Sequence, residues 1–292
     1  MIRALLLQLP IPQLNYGKQT GNIPLAAACL KQAAVDIPGT VVEIVPESIV
    51  SYLGDAALLY EILSREPAIV GFSVYSWNLR RSLHLAEKIK EAGNCRIVFG
   101  GPEITPDNRL VRSESVDFLV YGEGEAVFRH LLQDDTFWQK KTAAACADKL
   151  FQSNPSPYPA GLLEPEIEDM VLLETQRGCP FRCGYCSYGK SRQHLTFKSA
   201  PLLLEAVEWA AVHKHSELYF LDPTLNTRPG IETLLEKIMT INHRRNLALI
   251  SEIRADRLDA CLADRFAAAG FSWFEIGLQT INPQALDPVS YT

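Results

Sequence analysis

Residues 1–135 alternate short apolar runs with longer segments in which apolar positions recur every three or four residues. A short apolar run bounded by turn formers reads as a buried strand, and the three-to-four period reads as a helix with one face on a core. Strands are therefore predicted at Arg3–Leu9, Val41–Val45, Ala68–Ser73, Arg96–Phe99 and Asp117–Tyr121, with helices at Ile23–Ala34, Ala56–Ser64, Leu79–Ala92 and Ala126–Leu132 between them. Strands that alternate with helices signal a parallel sheet built from βαβ units. Five such strands predict an N-terminal α/β domain of the doubly wound, flavodoxin-like (Rossmann-like) type, in which ligands sit beyond the carboxyl ends of the strands where strand order reverses.

The second half repeats the pattern. Met170–Thr175 is a strand followed, after a cysteine-bearing loop, by a helix at Ala200–Val212; Glu217–Leu221 pairs with Ile231–Ile241, Ala248–Ile253 with Ala260–Ala269, and Trp273–Leu278 is a further strand. Ser153–Gly161 is rich in proline, serine and asparagine, which suits an extended linker, and alanine-rich Thr142–Leu150 is expected as a short helix. The organisation expected is thus a domain over 1–135, a linker over 136–168 and a βα core over 169–292. A complete (β/α)8 barrel takes about 250 residues, so the last region holds about four βα units of a partial barrel, with an unpaired edge at its final strand.

Composition narrows the function classes. Hydrophobic residues make up 47% and charged residues 21%, ordinary for a folded protein. The net charge of -6 disfavours a broad nucleic-acid surface. No uncharged apolar stretch reaches the roughly 18 residues of a membrane helix, and the apolar start Met1–Leu9 runs straight into Pro10, which reads as a buried first strand rather than a leader. Seven cysteines without a paired framework point to a reducing, cytoplasmic setting.

The chemistry concentrates in Arg177-Gly178-Cys179-Pro180-Phe181-Arg182-Cys183-Gly184-Tyr185-Cys186. Three thiolates on one tight loop can hold three irons of a [4Fe-4S] cluster and leave the fourth open for chemistry. A structural zinc site with His194 as fourth ligand is the competing assignment, but such sites usually take their cysteines as two close doublets. Cys29, Cys95, Cys146 and Cys261 lie singly in apolar or alanine-rich contexts and are expected as small buried hydrophobes. His84, His130, His213, His215 and His243 show no metal-ligand spacing.

Other chemistry-bearing residues fall at predicted strand ends. Ser73, Tyr75, Ser76 and Asn78 follow the third strand, Gly100-Gly101-Pro102 the fourth, and Gly122-Glu123-Gly124-Glu125 the fifth; glycine lets backbone amides approach a ligand closely. In the second region the strand ends carry Asp222 with Thr224 and Asn226, then Ser251, Glu252 and Arg254, then Gln279 with Thr280.

The cysteine pattern Cys-x3-Cys-x-aromatic-Cys, completed by Tyr185, resembles the radical S-adenosylmethionine (radical SAM) superfamily. Val98-Phe99-Gly100-Gly101-Pro102 and Gly122-Glu123-Gly124-Glu125 resemble turns of the cobalamin-binding domain that precedes the core in its B12-dependent branch. The resemblance implies a [4Fe-4S] cluster on Cys179, Cys183 and Cys186, reductive cleavage of S-adenosylmethionine to a 5'-deoxyadenosyl radical, and cobalamin for methyl transfer or redox chemistry. It implies SAM contacts from Tyr185, Asp222, Glu252, Arg254 and Gln279, and cobalamin contacts from Ser73, Tyr75, Gly100, Gly101, Gly122 and Gly124. An external electron donor and a small-molecule or peptide substrate follow as partners. Residues 10–22 contain neither Asp nor His, so the Asp-x-His-x-x-Gly motif is missing and no histidine from the first loop would ligate cobalt. A methylthio-transferring relative would need more cluster cysteines than Cys29 and Cys95 provide. The alternative to an enzyme is a truncated, non-catalytic remnant that binds cobalamin or an iron–sulfur cluster without turnover.

Overall fold

The computed structural model describes residues 1–11, 22–145, 149–186, 188 and 195–286. They form two compact units, Met1–Leu150 with Gly161–Glu168 and Phe151–Ala160 with Asp169–Thr292. The segment 136–168, expected as a linker, is thus shared out between them.

The first unit is built on a parallel sheet of β1 (Ile2–Gln8), β2 (Thr40–Ile44), β3 (Ile69–Ser73), β4 (Arg96–Gly100), β5 (Phe118–Gly122) and β6 (Thr142–Ala145), in the order β2-β1-β3-β4-β5-β6. Helices α1 (Leu25–Ala33), α2 (Glu47–Tyr52), α3 (Asp55–Ser64), α4 (Leu79–Ala92) and α5 (Glu125–Gln133) cover it. Side chains alternate across a strand, and in β1 Leu5 and Leu7 join Leu58, Ile62, Leu85 and Ile89 of α3 and α4, while Ala4 and Leu6 join Ala27, Phe128 and Leu131 of α1 and α5. Two apolar layers on one sheet make it doubly wound. Strand order reverses between β1 and β3, which is where this architecture opens a crevice.

Alanine's helix preference does not hold at Thr142–Ala145, expected as helix. This segment is an edge strand, paired with β5 from Leu119↔Thr142 to Gly122↔Ala145. Lys141, at φ 58, turns the chain into it, and Leu119 N donates to Lys141 O at 2.9 Å. The short helix α2 has no counterpart among the predicted elements.

The second unit has a parallel sheet of β7 (Met170–Leu173), β10 (Glu217–Phe220), β11 (Ala248–Glu252) and β12 (Phe271–Glu275), added in sequence order from one side. A two-residue antiparallel pair, β8 (Gln176–Arg177) with β9 (Thr196–Phe197), closes the base of the cysteine loop. After α6 (Lys149–Ser153), the helices are α7 (Ala200–Val212), α8 (Ile231–Ile241) and α9 (Ala260–Ala269). Val171, Leu173, Leu218, Phe220 and Leu249 are buried on one face of the sheet, whereas Leu172 and Tyr219 on the other are half-buried. The last strand starts earlier than predicted because Gly270, at φ 102, ends α9 and sends Phe271 directly under Phe266, with ring centroids 4.8 Å apart. No helix among the described residues is long and apolar enough to cross a membrane.

Two expectations about lone cysteines change: Cys261 is exposed and Cys29 half-buried, whereas Cys95 is buried. Cys146 lies outside the described residues.

Candidate cofactor sites

In the first unit the strand ends are joined by backbone and one buried amide. Val74 N donates to Gly100 O at 2.7 Å and Glu103 N to Val74 O at 3.2 Å, so the chains leaving β3 and β4 lie against each other. Gly101 sits at this crossing with φ +116, where a Cβ would stand 2.6 Å from Val74 O, and only glycine fits. Asn78 is fully buried: its Oδ1 accepts from Tyr75 N at 2.8 Å, and its Nδ2 donates to Leu9 O at 3.0 Å and Ser73 O at 3.1 Å. It therefore fastens the ends of β1 and β3 across the point of strand reversal. Ser73 and Tyr75 are half-buried, and the Tyr75 ring stacks on Trp77 at 4.5 Å. Gly100 and Gly124 are half-buried and Gly122, at φ 75, is exposed. The ends of β4 and β5 thus present backbone with few side chains standing off it.

In the second unit the cysteine loop leaves β8 through Gly178, at φ 91, and turns where Cys186 N donates to Cys183 O at 3.0 Å. All three cysteines are half-buried. Burial pushes the Cys179 thiol above its ordinary range; hydrogen bonds from the Phe181 backbone and the Thr224 side chain oppose this, and the charges of Cys183 and Cys186 add to it. Cys183 and Cys186 thus lie within electrostatic reach of Cys179. Among the described residues no three His, Cys, Asp or Glu side chains stand as a metal-holding group. His194 lies outside the described residues.

Beneath the loop lies a polar hub. Asp222 is fully buried; Oδ1 accepts from Thr175 N at 2.9 Å and Gln176 N at 2.7 Å, and Oδ2 from Thr175 Oγ1 at 2.7 Å. Arg228, 8% exposed, donates to Thr175 O at 2.5 Å and to Lys198 O at 2.6 Å. Lys198 in turn donates to Phe151 O at 3.0 Å and Asn154 O at 2.6 Å. Thr175 precedes β8 and Lys198 follows β9, so the hub grips the loop where it leaves and where it returns. Asp222 thus spends both oxygens on a turn. Arg228 was not legible as a site residue, because its partners lie 53 and 30 positions away in sequence.

The other expected SAM residues are scattered around the strand ends. Glu252 closes β11 opposite Glu275 of β12. Burial, then the Glu275 charge, raises its carboxyl, and a hydrogen bond from Tyr219 lowers it. Burial, then the charges of Glu252 and Glu275, push the Tyr219 hydroxyl far above its ordinary range. Tyr219 and Glu275 belong to this group although sequence alone did not single them out; period-2 alternation along β10 and β12 was the available signal. Arg254 is 5% exposed and forks onto Asp256, with Nε to Oδ1 at 2.8 Å and Nη2 to Oδ2 at 3.1 Å. Tyr185 is 57% exposed, and Gln279 is exposed in a left-handed turn (φ 58) beyond β12.

Residues 173–292 match the family model of the radical SAM superfamily, and residues 22–132 match the B12 binding domain. The later stretch thus carries the radical SAM signature and the earlier the B12-binding signature. Over 193 residues this chain is 30% identical to the cobalamin-dependent radical SAM methyltransferase TokK of Streptomyces tokunonensis, an overlap of 56% of the chain and 28% of TokK. It therefore spans well under half the length of that curated relative. Its fold superposes on the radical S-adenosylmethionine methyltransferase TsrM from Kitasatospora setae, solved with tryptophan substrate and a SAM analog, with a TM-score of 0.76 at 17% identity over 98% of this chain and 61% of TsrM. OxsB, a cobalamin-dependent S-adenosylmethionine radical enzyme, gives a TM-score of 0.66 at 19% identity over 98% of this chain and 45% of OxsB. At such identities the likeness speaks for the fold.

Proposed function

We propose that this chain is a cobalamin-dependent radical SAM methyltransferase that binds a [4Fe-4S] cluster through Cys179, Cys183 and Cys186. The observation that carries the reading is the cysteine loop: three half-buried cysteines on one turning segment, with the loop's neck gripped by Asp222 and Arg228. That donor set suits iron, since clusters take cysteine sulfur from short turning segments. When bound, the cluster supplies the electron that cleaves S-adenosylmethionine to a 5'-deoxyadenosyl radical and cobalamin supplies a methyl carrier. An external electron donor and a small-molecule or peptide substrate complete the scheme, in a reducing cytoplasm.

The chain's own residues do the positioning. Ligation takes a proton from each thiol, and because Cys179 holds its proton above the ordinary range, cluster uptake is favoured as pH rises. Glu252 is assigned to the ribose hydroxyls and Tyr185 to the adenine, with exposed Gln279 as a further SAM contact. In the first unit, backbone around Gly100, Gly101, Gly122 and Gly124, with Ser73 and Tyr75, suits a broad flat cofactor held by shape, and residues 10–22 supply no histidine to its cobalt.

Anaerobic reconstitution with iron and sulfide tests the reading: a brown protein that cleaves SAM on addition of reductant, with both properties lost in Cys183→Ala, is expected. A colourless protein carrying stoichiometric zinc refutes it. Absorption changes on cobalamin titration test the first unit separately.

A further inference from the structure

Resting on that reading, we propose that Arg254 is a positioning residue for the cysteine loop, acting through Phe181 and aimed by Asp256 and Asn226. The Arg254 guanidinium carbon lies 3.7 Å from the centroid of the Phe181 ring. Phe181 stands between Cys179 and Cys183, so whatever holds its ring holds the span that carries two of the three thiols.

Arg254 is held at both its side chain and its backbone. Asp256 takes its fork at 2.8 and 3.1 Å, which sets the plane that faces the ring. Its backbone is gripped by one buried amide: Arg254 N donates to Asn226 Oδ1 at 3.0 Å, and Asn226 Nδ2 donates to Arg254 O at 2.7 Å and Arg257 O at 3.1 Å. Asn226 comes from the turn after β10, which also carries Thr224, the hydroxyl at Cys179. The turns after β10 and β11 are thus locked to each other, and one meets the loop at Cys179 while the other meets it at Phe181. At 5% exposure the stacked cation has little water to compete with the ring. An arginine whose fork and face are both occupied is engaged in holding protein, so the SAM contact expected at this residue falls to another donor.

The test uses the full chain, reconstituted anaerobically, as wild type, Arg254→Gln, Phe181→Leu and the double variant. Each cluster is challenged with a ferrous chelator, its loss is followed by visible absorbance, and the reduced cluster is recorded by electron paramagnetic resonance. Each single variant is expected to lose its cluster roughly tenfold faster than wild type, the scale of a desolvated cation–π contact, and to shift the resonance. The double variant should be no faster than either single, because both remove one contact. Wild-type loss rates in the singles, or single effects that multiply in the double, overturn the inference while leaving the proposed function standing. A wild-type chain that takes up no cluster overturns both. Should Arg254→Gln fail to fold, Phe181→Leu and Asp256→Asn, which free the same ring and the same guanidinium, carry the comparison: faster loss supports the brace and wild-type rates refute it.

Discussion

Asp222→Asn should change how stability responds to pH. The carboxyl is fully buried, and burial pushes it from an ordinary 3.8 up to about 7, against the pull of the hydrogen bonds from Thr175 and Gln176. A carboxyl raised in the folded state binds its proton more tightly there than in the unfolded chain. Its stabilising contribution is therefore full below pH 3.8 and is lost as pH climbs to about 7. One pKa unit is worth about 1.4 kcal/mol, so wild type loses on the order of 2 kcal/mol from this group between about pH 5 and 7, where the folded form is giving up its proton and the unfolded form has already lost it. Asparagine keeps a carbonyl for the two backbone donors and has nothing to ionise. Urea unfolding at successive pH values, followed by the emission of Trp209 and Trp273 in the second unit, gives the difference between variant and wild type, because Trp77 and Trp138 contribute equally to both curves. That difference should move in favour of the variant by about 2 kcal/mol over the interval. Parallel curves would refute the reasoning, since they would mean that the Thr175 and Gln176 donors keep Asp222 ionised throughout.

In the first unit, Gly101→Ala places a Cβ 2.6 Å from Val74 O at a φ of +116, and a loss of roughly 3 kcal/mol in urea unfolding is expected from strain and displaced backbone; a change within experimental error would show that the crossing relaxes freely. Asn78→Ala strips partners from Tyr75 N, Leu9 O and Ser73 O, which should cost about 3 kcal/mol and accelerate hydrogen exchange at the Tyr75 amide, and unchanged protection there would count against its role at the strand reversal.

How much was legible depends on how local the cause is. Helices Ala200–Val212, Ile231–Ile241 and Ala260–Ala269 coincide with their predicted bounds because their periodicity ends at sharp signals, such as Gly270 at the close of the last. The five predicted strands of the first domain lie within a residue or two of those observed for the same reason. Thr142–Ala145 was misread because pairing with β5 overrides the intrinsic preference of alanine. At the candidate site, the cysteine spacing stands out in the sequence, whereas the contacts that Asp222, Arg228 and Arg254 make do not. A carboxylate at a strand end looks the same in sequence whether it meets a ligand or an amide 47 residues away. What separates these cases is burial, and burial at a strand end is a tertiary property.

The hub below the cysteines has a consequence for how such a loop can diverge. Besides the Thr175 hydroxyl, its grip falls on the amides of Thr175 and Gln176 and on the carbonyls of Thr175 and Lys198, atoms that every ordinary residue possesses. Substitutions or length changes between the two fastened points leave those atoms where they are. Apart from the three cysteines and the Phe181 ring that meets Arg254, the segment between those points is thus free to be rewritten by descent or by transplantation, while the doorway through which it enters and leaves the sheet keeps its shape.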